Sequence, residues 1–201
     1  MGVEKKEEYL SYLKKVGHLS GVVINSFGKL IQALRKRLDY FEAKGCKLSD
    51  HGVEWLYSEE YTDIEIDNIF NKINGNITLN TKEIEQFKSA VLYECAKMNW
   101  EKGWVQQFHF GVIRNNSSRL FNKIGPDAGG DSVADFDQGL SLARFLDRLD
   151  SEGHLTKSIF YNLNSRDNDL VATMIGNFQD GSFPGKIQFG SGWWFLDQKD
   201  G

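Results

Sequence analysis

With 201 residues, 40% hydrophobic and 26% charged, the chain has the composition of a folded globular protein with material for one substantial core or two small ones. Its formal charge of −4 mixes both signs without a basic stripe, which argues against nucleic acid as a partner. No apolar run reaches the roughly 20 residues that cross a bilayer, and the opening MGVEKKEEYL has no apolar signal region, so neither membrane nor secretion is expected. The two cysteines, Cys46 and Cys95, stand far apart in no metal or disulfide spacing and suit reduced, buried thiols in a cytoplasmic protein.

In chain order, residues 3–15 place Tyr9, Leu10 and Leu13 at helical spacing among charges. A second helix starts after Ser26, carries Leu30, Ile31, Leu34, Leu38 and Phe41, and stops at Gly45. Residues 46–50, CKLSD, read as a short strand ending at the pair Asp50-His51. Residues 62–73 and 80–102 read as helices, the latter capped by Thr81, with Ile84, Phe87, Val91, Leu92, Cys95 and Met98 on one face. WVQQFHFG, from Trp104, is a strand. After a long connection, 134–153 forms a helix on Leu140, Leu142, Ala143, Leu146 and Leu149. SIFYNL, 158–163, is a strand; 166–178 is a helix capped by its opening Asp or Asn residues; and KIQFG, 186–190, is a final strand. Strands alternating with helices predict α/β architecture built from parallel crossover units.

About four strand-helix units are visible, half of what a closed (β/α)8 barrel of roughly 250 residues requires. An open doubly wound sheet usually carries a Gly-rich phosphate loop, and neither GxGxxG nor GxxxxGK[ST] occurs. The sequence therefore reads as one domain, residues 1–201, forming part of a barrel, with a helical insertion around 62–102.

The polar residues gather at the predicted carboxyl ends of the strands: Asp50 and His51, then His109 and Arg114, then Asn164 and Arg166, then Gln188 with Trp193 and Trp194. In parallel barrels that rim carries the active site. Strand alternation puts Val105, Gln107 and His109 on one face and Gln106, Phe108 and Phe110 on the other, so Gln107 and His109 are expected to face the mouth. Taken singly, each has a plainer reading. A strand histidine is more often a hydrogen-bonded structural residue than a ligand, loop arginines are commonly solvated, and Asp50-His51 suits a turn. Together, two guanidiniums on one rim suit a carboxylate or phosphate, and a histidine beside them suits proton transfer or metal ligation. No HExxH, nucleophile elbow or Cys/His zinc spacing is present.

GWVQQFHFGVIRNNSSRLF, GPDAGGDS, ARFLDRLD, the run from YNLNSRDN through ATMIGNFQDG, and PGKIQFGSGWWFLDQKDG resemble uronate isomerase (glucuronate isomerase), of the amidohydrolase superfamily. The likeness extends from about Ser26 onward and includes CKLSDHG. It implies a (β/α)8 barrel and an aldose-ketose isomerase that interconverts D-glucuronate with D-fructuronate, or D-galacturonate with D-tagaturonate. It also implies a divalent metal, typically zinc, in the complete enzyme. On the matching positions, His109 is expected at the metal or the sugar hydroxyls, Arg166 at the substrate carboxylate or an adjacent hydroxyl, and Trp193 or Trp194 as the pocket wall. Asp50 and His51 are expected at its edge, with Gln107 and Arg114 among the substrate-binding groups. The family's early HxH and late metal-binding Asp followed by Arg do not occur in this sequence, which thus reads as a central-to-late fragment, inactive or nearly so by itself. A non-catalytic sugar-acid-binding domain, or a half barrel that forms a homo-oligomer through its open edges, is the other expectation.

Overall fold

The computed structural model describes residues 2–192 and divides the chain into two compact units. The first holds Met1–Lys47 and Tyr57–Lys102; the second holds Leu48–Leu56 and the chain from Gly103 onward. The helical stretch around 62–102 thus shares a unit with residues 1–47. The opening two helices share an apolar core with the two after residue 62, and burial of common apolar surface is what makes a unit.

The first unit is helical: α1 (Lys6–Ser20), α2 (Phe27–Ala43), α3 (Asp63–Asn74) and α4 (Thr81–Glu101). Its core joins Tyr9 and Leu13 of α1, Leu30 of α2, Ile66, Ile69, Phe70 and Ile73 of α3, and Phe87, Ala90 and Val91 of α4. The helices start where side chains satisfy otherwise unpaired N–H groups. The Ser26 hydroxyl accepts from the Lys29 N–H at 3.2 Å. Thr62 and Glu65 cap α3 reciprocally, at 3.2 and 2.7 Å. Asn80 and Glu83 do the same for α4, at 2.9 and 3.0 Å. Asn80, not Thr81, is therefore the cap: three residues beyond Asn80 stands a carboxylate able to return the bond, whereas three beyond Thr81 stands Ile84. α1 runs on past residue 15 to Ser20, where Gly21 takes the left-handed conformation at φ 65°.

The second unit is α/β. β1 (Leu48–Val53), β2 (Val105–Phe110), β5 (Ser158–Asn162) and β6 (Ile187–Phe189) form a parallel sheet in the order β1-β2-β5-β6. β3 (Val112–Ile113) and β4 (Ser132–Val133) pair antiparallel, and α5 (Ser118–Ile124) lies between them in sequence. α6 (Gly139–Ser151) and α7 (Asn168–Gly176) supply the crossovers, α7 following a 3-10 turn at Ser165–Asp167. On the covered face of the sheet, Phe108 stacks on Phe160 at 5.3 Å between ring centroids and meets Phe145 of α6 edge-on at 5.3 Å. Leu142, Leu146, Leu149 and Val171 are wholly buried. Gln106 shares this dry face and donates to the Ser158 hydroxyl at 2.9 Å, as a buried amide must.

Several boundaries differ from the sequence reading. Parallel pairing carries β1 on to Val53, so Asp50 and His51 lie inside the strand and not in a turn after it. α6 begins at Gly139, because residues 134–138 spend their polar groups on cross-loop bonds: the Ala134 N–H on Gly111 O at 2.9 Å, the Gln138 amide on Glu54 O at 3.1 Å. Leu140 is exposed, and Phe145 takes its expected place in the core. Asp167 precedes α7 without a side-chain cap bond; Asn164 instead caps the 3-10 turn, accepting from the Arg166 N–H at 3.1 Å. Cys46 and Cys95 form no disulfide, and each residue as a whole is partly exposed. Among the described residues no helix is long and apolar enough to cross a membrane.

Candidate functional site

Register decides which polar residues meet. On the face of the sheet opposite α6, one row runs Asp50, Gln107, Ile159, Gln188, and the next, nearer the carboxyl ends, runs Gly52, His109, Tyr161. Gln107 and His109 are half-buried here while Gln106, Phe108 and Phe110 are buried on the other face, as alternation predicts. Asp50 sits diagonally from His109 and its Oδ1 lies 2.7 Å from His109 Nδ1. The carboxylate holds one ring nitrogen and so orients the imidazole and selects its tautomer, leaving proton exchange or ligation to Nε2. Gln107 donates from Nε2 to the Tyr161 hydroxyl at 3.1 Å.

His51 does not join them. It pairs in register with Phe108 and stacks on that ring at 5.6 Å and 22°, on the covered face. Adjacent residues of a strand point to opposite sides, so Asp50 and His51 cannot both reach the same site. Burial pushes the His51 imidazole below its ordinary range, against the pull of the Asp50 carboxylate, which marks it as a neutral structural histidine.

The two arginines are each held by acids. Arg114 donates from Nη1 to Asp131 Oδ2 at 2.8 Å, and the other carboxylate oxygen accepts from the Asn115 N–H at 2.8 Å. Asn115 reaches that bond at φ 55°, a conformation asparagine tolerates better than most residues. Asn116 donates to Ile113 O at 3.2 Å and its N–H to Gly130 O at 2.9 Å, so RNN is the clasp that closes the β3-β4 ribbon. The Arg114 guanidinium also reaches over Gly52: a Cβ there would stand 3.3 Å from Nη2. That places a cation above the glycine paired with His109.

Arg166 donates from Nε to Asp167 at 2.9 Å and from Nη2 to Phe136 O at 3.2 Å, and pairs with Asp135 through Nη1. Asn164 donates to Ala134 O at 2.9 Å. Both residues thus fasten residues 134–136 to the end of β5, and the expected two-arginine clamp is, in this structure, two separately countercharged guanidiniums. Gln188 faces the same side as Gln107 but donates to Gly185 O at 2.9 Å, within its own turn. Trp193 and Trp194 lie outside the described residues.

His109 backed by Asp50 has the form of a metal-ligating imidazole with a carboxylate behind it. Among the described residues no three His, Cys, Asp or Glu side chains come together. These residues match one ligand and its support, not a complete centre, and no chemical step is derived through a metal. The residues that sequence reading missed are Tyr161 and the acids Asp131 and Asp135. Alternation in SIFYNL already paired Tyr161 with Ile159, but only the register puts it beside His109; the acids carry no local signal, since Asp131 is 17 residues from Arg114.

These features define an α/β protein with a parallel sheet and a cluster of polar, ionisable groups at the strand ends. Comparison with known proteins is specific. The family model for glucuronate isomerase matches residues 1–201. A uronate isomerase of Phocaeicola vulgatus is 57% identical over the whole chain, which covers 43% of that protein. One from Cellvibrio japonicus is 55% identical, with the same coverage. Among solved structures, uronate isomerase from Thermotoga maritima aligns with a TM-score of 0.82 at 29% identity, over 94% of this chain and 40% of that one. Glucuronate isomerase from Caulobacter crescentus aligns at 0.78 and 27%, over 91% and 37%. The chain belongs to the glucuronate isomerase family and spans less than half the length of the relatives it matches.

Proposed function

We propose that this chain carries one side of a uronate isomerase site, at which D-glucuronate is interconverted with D-fructuronate and D-galacturonate with D-tagaturonate. The parallel strands β1, β2, β5 and β6 are, in this reading, consecutive strands of a (β/α)8 barrel, and a cytoplasmic setting goes with it. The observation that supports it is the 2.7 Å bond between His109 and Asp50, on the face of the sheet opposite α6.

The reaction moves a proton between C2 and C1 through an enediol, so it needs a base near C2 and a partner for the developing oxyanion. His109, held at Nδ1 by Asp50, exchanges the proton at Nε2. Arg114, above Gly52, lies near enough to meet negative charge on the substrate beside His109. Arg166 takes the substrate carboxylate by exchanging one of its acidic partners for it. Gln107 completes the wall. His51 has no direct part. The divalent metal that the family resemblance implies would supply Lewis-acid polarisation of a substrate oxygen, with His109, backed by Asp50, as the ligand offered by the described residues. Pairing along β1 and β6, the outer strands of the described sheet, with further strands or a second copy also belongs to this reading.

The test is to incubate the intact protein with each uronate in deuterated water and follow ketose formation, with deuterium at C1 of the ketose and C2 of the recovered aldose. Ketose formation and exchange that His109→Gln abolishes support the reading. Neither ketose nor exchange from either sugar overturns it.

A further inference from the structure

Tyr161 of β5 stands beside His109 in register, and its ring lies parallel to the imidazole, 4.3 Å between centroids and 6° between planes. β5 lies between β2 and β6, and on the β6 side the backbone closes in. At Gly190, where β6 leaves the sheet and the N–H donates to Phe160 O at 2.8 Å, an added Cβ would overlap Cδ1 and Cε1 of Tyr161. The ring is thus confined between the imidazole and a strand that has given up its side chain to admit it. Its hydroxyl accepts from Gln107 Nε2 at 3.1 Å, and among the described residues this is the one hydrogen bond that either side chain makes.

A phenol that accepts through its oxygen still has its proton to give, and an amide that donates still has a carbonyl oxygen with which to accept. Turning the amide over exchanges the roles and leaves the same remainder, one donor beside one acceptor. Both side chains are half-buried, where unpaired polar groups cost free energy. A donor and an acceptor 3.1 Å apart match a hydroxyl group, which both gives and takes a hydrogen bond. We propose that Tyr161 and Gln107 together bind the C3 hydroxyl of the uronate. The assignment to C3 rests on the isomerase reading: with His109 exchanging the proton at C1 and C2, the next carbon of the sugar comes against the ring stacked on the imidazole. D-glucuronate and D-galacturonate differ at C4 and share the configuration at C3, so the pair serves both substrates alike.

In the intact protein, Tyr161→Phe keeps the ring and its seat and removes the hydroxyl, while Gln107→Leu keeps the phenol and removes the amide. For each variant kcat/KM is expected to fall about three- to tenfold, the size of one neutral hydrogen bond, and by the same factor for D-glucuronate and D-galacturonate. 3-Deoxy-D-glucuronate is the control. The wild-type protein is expected to use it about tenfold or more less well than D-glucuronate, and Tyr161→Phe to lose most of that preference. A merely structural role for the phenol lowers all three sugars by one factor, and that result overturns the proposal. An unchanged kcat/KM for D-glucuronate in both variants, or a loss confined to one uronate, overturns it as well and leaves the isomerase reading standing. If Tyr161→Phe does not fold, Gln107→Leu decides by the same ratios. If the wild-type protein binds the uronates in titration calorimetry without isomerising them, the ratios are read from Kd. Neither turnover nor binding of either uronate overturns both readings together.

Discussion

Asp50 and His109, carried by neighbouring parallel strands, are joined at 2.7 Å although one is half-exposed and the other only 23% exposed. The pairing is diagonal, because the residue directly across from His109 is Gly52. The missing side chain at Gly52 opens the sheet surface on the side from which the Arg114 guanidinium approaches.

Replacing Asp50 by Asn keeps the shape but puts an amide in place of the carboxylate that holds His109 Nδ1 at 2.7 Å. We expect kcat to fall by about a hundredfold, the lower range for losing a positioned acid-base group. Because Asp50 acts through His109, the double variant Asp50→Asn with His109→Gln is expected to be no worse than His109→Gln alone. Additive losses in steady-state kinetics would separate the two residues.

Arg166 is offered as a carboxylate ligand, yet Asp135 already occupies it. In that competition Asp135→Asn is expected to lower KM for uronates about two- to fivefold, the size an exposed ion pair is worth, while Arg166→Met raises KM. Should both substitutions raise KM alike, the pair is a clasp for residues 134–136 and Arg166 does not bind substrate.

Burial pushes the His51 imidazole below its usual 6.5. With the folded pKa depressed, the unfolded chain takes up the proton first, so this stabilisation is intact above about 6.5 and is lost as pH falls from there toward the folded value. His51→Phe, which retains a ring against Phe108, is expected to lessen the loss of stability between about pH 7.5 and about pH 5.5 in urea titrations. An unchanged pH slope would remove His51 as its source.

Burial also raises the Cys95 thiol to about 12, with the Glu94 carboxylate adding to the effect. Only thiolate reacts at a useful rate. A disulfide reagent near neutral pH should therefore modify Cys95 far more slowly in the folded protein than in urea, measured by mass spectrometry of the labelled peptide. Equal rates would show the thiol to be open to solvent.

Phe160 is wholly buried between Phe108 and Phe110. Phe160→Ala is expected to cost about 3–5 kcal/mol, against about 1 kcal/mol for Thr62→Ala, which removes one cap from α3. Denaturant unfolding of the two variants ranks them, and a reversed order would mean that the sheet's covered face is not the core of its unit.

What the sequence determined by itself was local: the helix faces, the capping serine at 26, the four parallel strands, and the division of WVQQFHF into a dry face and a polar one. Each is a periodic or nearest-neighbour property that a few adjacent residues dictate. Motif likeness added the family, because long runs such as NSRDN and SGWWF are specific without any geometry. The partners of the site were decided by tertiary structure. That β1 runs on through Asp50 and His51 and so parts their side chains, that Tyr161 flanks His109, and that Asp131 and Asp135 countercharge the arginines all depend on pairing and loop closure between residues 17 to 59 positions apart. A one-residue change of register would turn each strand over, and no local pattern specifies which register the packing of α6 and α7 selects.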